Sequence, residues 1–272
     1  MPASLLTADD VVVLSAESLH GEGDDDAVQF NVSFANALLR ELLRLSEISR
    51  DAVTGYYVDY YLAQICNGGF SQFVYNTSWK PEVVSIVKDG LRKIGATQHL
   101  SLFEKGEWLV THEPSKLREF LSGEYFGVNK ERDRFDSITK QFFSLDKTES
   151  LRELNASWLK SRPNLCVVPL AEARKQIDIR AAAITDLVAR KAEAQANAPR
   201  YMKLIYALCS AAGQSLNRVT AGSASHDHEG EKIFAWHFIT DKGHHYMVEL
   251  YGKAMMFVGT GERKVVEVAA EQ

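Results

Sequence analysis

Cysteine is scarce in this sequence: Cys66, Cys166 and Cys209 stand far apart, odd in number and with no CxxC pair. That spacing excludes a zinc ribbon and a disulfide framework, and it fits a reducing, cytoplasmic compartment. Long apolar runs are missing too, since none approaches the roughly 20 residues that a membrane-crossing helix needs. Near the start, Val11-Val12-Val13-Leu14 follows Asp9-Asp10 and gives way to Glu17. This patch is too short and too acidic for a signal peptide. A soluble protein without membrane contact is expected. Nor is there an excess of positive charge, because 31 Lys+Arg stand against 36 Asp+Glu for a formal net charge of -5. Direct coating of nucleic acid is therefore not expected.

What is present is ample apolar material, 46% of 272 residues, enough for one large core or two modest ones. Charge is unevenly spread. Residues 1–50 hold nine acids against three arginines, a net of −6, so the remaining 222 residues sum to +1. Residues 1–28 combine a short apolar patch with Gly21-Glu22-Gly23-Asp24-Asp25-Asp26, and they read as an acidic arm or loop. Asp24, Asp25 and Asp26 form its acid cluster, the candidate partner-binding residues.

From Phe34 the apolar residues Leu38, Leu39, Leu42, Leu43 and Leu45 recur at helical intervals, with Asn31 or Ser33 as the expected cap. A second helix, rich in tyrosine, runs from Asp51 to Cys66. Asn67-Gly68-Gly69 stops it, because glycine enters left-handed geometry without a Cβ clash. Helical spacing resumes over Phe70 to Asn76, and Pro81 opens a helix that closes before Gly95. Further helices are expected at about 97–110, 113–121, 129–145 and 149–161, then one from Pro169 to about Gln195 and one from Arg200 to about Leu216. The mixed charges of Lys130 to Arg134 read as a solvated face.

Beyond the linker Gln195-Ala196-Asn197-Ala198-Pro199, residues 232–268 form short β-rich runs separated by glycine turns, an antiparallel meander. The expected fold is mainly α, with an all-helical domain over 29–198 followed by a small α+β domain over 199–272.

One segment is distinctive: Tyr60-Tyr61-Leu62-Ala63-Gln64-Ile65-Cys66-Asn67-Gly68-Gly69-Phe70-Ser71-Gln72-Phe73-Val74-Tyr75-Asn76-Thr77-Ser78. It resembles the signature of an all-helical bacterial family, long a domain of unknown function, typified by DNA mimic protein nineteen. The likeness covers residues 35 to 120. It implies a compact helical domain and a homodimer. It further implies a protein that presents carboxylates spaced like duplex phosphates to the DNA-binding surface of a helix-turn-helix transcription factor. The motif-bearing core departs from this picture, with fourteen acids and twelve bases over residues 51–150. None of the family's mimicking carboxylates maps onto a position here.

Within the motif, Asn67, Gly68 and Gly69 read as a helix stop, and Phe70 and Phe73 as core anchors. Gln72 and Asn76 read as side-chain amides that tie the turn. No nucleophile or general base stands beside a tuned partner, so no catalytic residue is assigned and no cofactor is expected. The expected activity is non-enzymatic binding of another protein.

A rival reading comes from the C-terminal histidines. His226 and His228 share a face if their segment is a strand, and His244 or His245 could join them across a hairpin to hold a metal ion. A metal-dependent enzyme using Asp227 or Glu229 would follow. Against it, no HExxH spacing is present and no cysteine lies near.

Overall fold

The structure, a computed structural model, describes residues 6–21, 26–228, 230–259, 261 and 263–270. It divides into two units, Met1–Thr185 and Asp186–Gln272. The first is helical and the second carries a five-stranded antiparallel sheet. The division falls one helix earlier than the 198/199 junction read from the sequence. No helix among the described residues is long and apolar enough to cross a membrane.

The first unit starts with β1 (Val12–Ser15), followed by α1 (Ala27–Arg40), α2 (Arg50–Thr77), α3 (Pro81–Lys93) and α4 (Thr97–His112). Next come α5 (Pro114–Ser122), α6 (Lys130–Asp133), α7 (Asp136–Leu145), α8 (Leu151–Lys160), β2 (Leu165–Val168) and α9 (Leu170–Ala182). The stretch 1–28 is thus not simply an arm. All four residues of β1 are buried, and β1 pairs in parallel with β2 from Val12↔Leu165 to Ser15↔Val168. The short apolar patch is a strand because a second apolar run, far along the chain, supplies its partner.

Helix α1 also starts earlier than the leucine spacing indicates. Its cap is Asp26, whose carboxylate accepts the Gln29 amide hydrogen at 2.9 Å. Asn31, read as a cap, lies inside the helix at 1% exposure and donates to the Ala52 carbonyl at 2.9 Å, which ties α1 to α2. Pro81 opens α3 as expected, and Gly95 closes it with φ +78°. The expected 129–145 helix is broken at Arg134–Phe135 into α6 and α7, and the expected 169–195 helix is broken after Ala182.

Helix α2 is the centre of the first unit, packed against α1, α3, α7 and α8. Its buried Tyr61, Phe70 and Phe73 meet Phe103 of α4 and Phe142 of α7, with ring centroids 5.1–6.4 Å apart and mostly edge-on. Such arrangements place ring edges on ring faces and add to the gain from apolar burial. Close approach needs one position without a side chain. A Cβ on Gly106 of α4 would stand 2.3 Å from Phe70 Cζ.

The second unit holds α10 (Leu187–Ala196), α11 (Arg200–Ala211) and β3 (Leu216–His228), β4 (Glu231–Thr240), β5 (Gly243–Leu250), β6 (Lys253–Val258) and β7 (Lys264–Ala269). The strands form a meander in sequence order. Leu204, Ile205, Leu208 and Cys209 of α11 cover one face, against Phe238, Met247, Ala254 and Met256. Ala235, Tyr246, Val248 and Phe257 form a second buried cluster on the opposite face. Most of strand β3 has no counterpart in the sequence reading, which extends α11 to Leu216 and allows a strand only around His226 and His228, as the condition for their sharing a face. Its composition is polar and its pairing with β4 carries three register shifts, so no two-residue hydrophobic alternation marks it.

Gly106→Ala tests the packing at the centre of the first unit. Alanine improves helix propensity by about 1 kcal/mol, whereas overpacking a filled core costs typically ~1–3 kcal/mol. Phe70 is fully buried among other rings and has nowhere to retreat. The expected result is a lower urea midpoint for helix unfolding by circular dichroism; an unchanged or raised midpoint would refute the close packing.

Candidate functional site

The distinctive segment lies on α2, and its two glycines interrupt that helix. Gly68 has φ −162° and ψ 19°, and Gly69 has φ 81° and ψ −177°. The second pair of angles belongs to a region that only glycine enters at low cost. The expected helix stop is present, yet the chain resumes as a helix within the same element.

Interrupting a helix inside a core frees backbone groups that must find partners. The Gly68 carbonyl accepts from the Tyr125 hydroxyl at 2.9 Å and from Ser71 Oγ at 3.1 Å. The Phe70 amide donates to Thr139 Oγ1 of α7 at 3.0 Å, and that hydroxyl passes its own hydrogen to the Phe135 carbonyl at 3.2 Å. Tyr75 reaches the Gly123 carbonyl at 3.1 Å. On the outer side, Gln64 Oε1 accepts from Asn76 Nδ2 at 2.6 Å and Gln72 Nε2 at 3.2 Å, an amide bracket across the break. Tyr125, Thr139 and Gln64 were not singled out by sequence reasoning. A lone Tyr or Thr some 55–70 positions away leaves no local signal.

The chemistry offered at this break is poor in reactive groups. Asn67 and Cys66 are exposed beside it. Burial, with Asp146 and Asp59 nearby, pushes the Cys66 thiol upward, away from a reactive thiolate. The Tyr61 phenol is driven far above its ordinary range by complete burial, and its hydroxyl has no partner. Burial also raises the Asp59 carboxyl; Arg152 opposes this and Asp26 reinforces it. A cleft of about 520 Å³ between α3 and α4 is lined in part by Trp79, Lys88, Arg92 and Glu107. Its cations are already paired, Lys88 with Glu107 at 2.7 Å and Arg92 with Asp89 at 2.6 Å.

The predicted partner-binding acids fare unevenly. Asp24 and Asp25 lie outside the described residues. Asp26 is committed internally: besides capping α1 it pairs with Arg152 at 2.7 Å, and its side chain is 10% exposed. Elsewhere in the first unit many carboxylates are matched by bases. Glu113 meets Lys116 and Arg134, Glu131 meets Arg134, Asp133 meets Arg132, and Asp51 meets Arg162. Glu149 caps α4 through the Gln98 and His99 amides at 3.2 Å. Exposed Glu119, Glu124 and Asp136, within the segment from α5 to α7, make no ion pair among the described residues.

The four histidines read as metal candidates are not brought together. His226 and His228 share a face of the sheet, as the two-residue spacing implies, and lie over Tyr246 and Phe257. His244 approaches His237 instead, Nε2 to Nδ1 at 3.2 Å. His245 points to the other face, beside Phe238. Among the described residues no three His, Cys, Asp or Glu side chains stand in an arrangement that could hold a metal ion.

Compared with known proteins, residues 46–162 match the family model described as DMP19-like protein. No curated protein and no solved structure matches the chain. The matched region starts later than the 35–120 likeness read from the sequence, and it runs on through α8. It therefore contains the glycine break together with Tyr125 and Thr139, which satisfy it.

The two glycines should respond unequally to substitution. A Cβ on Gly69 would meet Thr139 Oγ1 at 2.6 Å and force a side chain into φ +81°. Strain and overpacking together should cost on the order of 3 kcal/mol. A Cβ on Gly68 would crowd the movable end of Gln72, in extended backbone that any residue adopts. Urea unfolding should therefore show Gly69→Ala well below Gly68→Ala in stability; equal losses would refute this account.

Proposed function

We propose that the first unit is a non-enzymatic protein-binding module of the DMP19-like kind, and that it occupies the DNA-binding surface of a transcription factor. The match over residues 46–162 carries the reading. The site is consistent with it: the glycine break is rich in hydroxyls, amides and packed rings, and it sets no nucleophile beside a base.

A mimic must offer carboxylates that its own bases have not neutralised. The matched segment holds sixteen acids against sixteen bases, so its net charge supplies no general attraction. Any phosphate-like pattern has to be local. Glu82 and Glu153 are likewise exposed outside the ion pairs, but Glu119, Glu124 and Asp136 are the carboxylates we assign to partner contact, because they fall in one segment, from α5 to α7, and stand outside the ion pairs that bind Glu113, Glu131 and Asp133. Asp26 is removed from that role by its engagement with Arg152 and the α1 amides. The family likeness also supports a homodimer of the full chain.

The test is capture of partners on the immobilised full chain, with duplex DNA as competitor. A DNA-binding protein should be retained and then displaced by DNA. The combined Glu119→Gln, Glu124→Gln and Asp136→Asn variant should weaken retention about tenfold or more, since rim charges typically act on association rate and salt dependence. Retention that ignores both DNA and these substitutions would sink the mimic reading.

A further inference from the structure

The sheet of the second unit buries imidazoles on both faces. Strand β3 coils through its three register shifts so that its end lies over the face opposite α11. There the His226 ring sits 4.2 Å from Tyr246, and His228 sits 4.7 Å from Phe257. Tyr246 and Phe257 stack on one another at 5.1 Å. His237 completes the row, 5.1 Å from His226 and hydrogen-bonded to His244. The contact between His237 Nδ1 and His244 Nε2 needs one hydrogen and one lone pair, so it cannot survive with both rings protonated. His226 Nε2 is buried without a partner. On the other face His245 is 4% exposed, and neither ring nitrogen reaches a partner at hydrogen-bonding geometry.

The surrounding charges do not compensate. On β3, Asp227 is held by Lys232 of β4 at 3.0 Å, and Glu231 stands opposite His228 at the hairpin end. In the β4–β5 turn, Asp241 pairs with Lys242 at 3.4 Å and accepts the Ser215 amide. Glu249 of β5 is taken by Arg200, and Glu267 of β7 by Lys253 and Lys264. Arg263 adds positive charge near His245.

We propose that the second unit is an acid-responsive element: protonation of His226, His237 and His245 frees the β3–β4 hairpin end from the Tyr246–Phe257 layer and opens the sheet while the first unit stays folded. Burial is the leading cause that holds all three imidazoles below the ordinary histidine range. For His226 the His228 ring adds to it, and for His237 the His226 and His244 rings do; Asp227 opposes it at His226, and the Phe257 backbone at His245. A histidine whose pKa is lowered by folding binds its proton more readily in the open state. The stabilisation is therefore complete above the free value of about 6.5 and is lost as pH falls below it. The first unit differs at its own buried histidine. His99 Nδ1 is buried without a partner, but Nε2 donates to the Glu149 carbonyl at 2.7 Å and the Asp146 carboxylate stands 3.6 Å away.

Hydrogen exchange on the full chain at pH 7.5 and 5.5, corrected for the intrinsic rate, reads the opening directly. Peptides from β3, β4 and β5 should lose protection by about tenfold or more at the lower pH, because the three protonations favour the open sheet together. Peptides from α2 should keep theirs. His245→Leu and the double variant His226→Gln/His237→Gln should each blunt the response. If neither variant folds, long-range nitrogen spectra of the wild-type imidazoles decide, with the three rings remaining neutral below pH 6.5 until the sheet opens. Equal protection of the sheet at both pH values, or rings that titrate at 6.5 or above with the sheet closed, would overturn the proposal.

Discussion

The first unit depends on the hydroxyl of Thr139 and its two neighbours doing what a continuous helix would otherwise do for itself. At Gly68 and Gly69 the helical ladder of α2 lapses beside the most densely aromatic part of the unit, with Gly69 and Phe70 buried and Gly68 half-buried. An unmet amide or carbonyl there would cost about as much as several of the ring contacts contribute. Thr139 accepts from Phe70, Tyr125 and Ser71 donate to Gly68, and the loss is made good from α7 and from the loop after α5. The kink in turn aims Phe70 and Phe73 at Phe103 and Tyr61. Polar satisfaction and aromatic packing are thus one arrangement, since moving α7 would break both.

The same economy governs charge. A surface of carboxylates held by arginine and lysine has its charge largely neutralised within the chain, so it has little left to offer a cationic partner. In the first unit Arg134 alone engages Glu113 and Glu131, and Arg152 draws Asp26 inward. Of the exposed carboxylates left over, Glu119, Glu124 and Asp136 fall in the segment that also supplies Tyr125, while Glu82 and Glu153 stand on α3 and α8. A cationic partner of the kind proposed would therefore meet local carboxylates combined with shape, because the matched segment carries no broad negative field.

Much of this was legible in the sequence where one residue suffices to set a local conformation. Pro81, Gly95 and the Gly68-Gly69 pair each mark a helix boundary through φ alone, and the meander from β4 to β7 follows from glycine turns between β-branched and aromatic runs. What escaped was written at long range. β1 and β2 become strands because each supplies the other's ladder, and neither is long enough to declare itself. β3 is polar and irregular, and only its pairing with β4 makes it a strand. Asp26, read from the sequence as a partner-binding acid, is a helix cap because Gln29 and Arg152 stand where they do. The acid cluster and the histidine cluster were both composition signals. Composition cannot say which face of a strand, or which end of a helix, a side chain will occupy.

The parallel pairing of β1 with β2 sets an order of events during synthesis. Residues 12–15 leave the ribosome before the strand that completes their hydrogen bonds, 165–168, which follows every helix from α1 to α8. Asp10 waits still longer, for Arg180 on α9, which it meets at 2.6 Å. Contacts of such sequence separation carry a loop-closure cost that must be met before they can stabilise anything. The helices around α2 can gather while the chain is still growing, but the unit is sealed at its N-terminal edge only when its last helix arrives. Until then β1 can pack its side chains against α1, but the edge that pairs with β2 has no ladder partner.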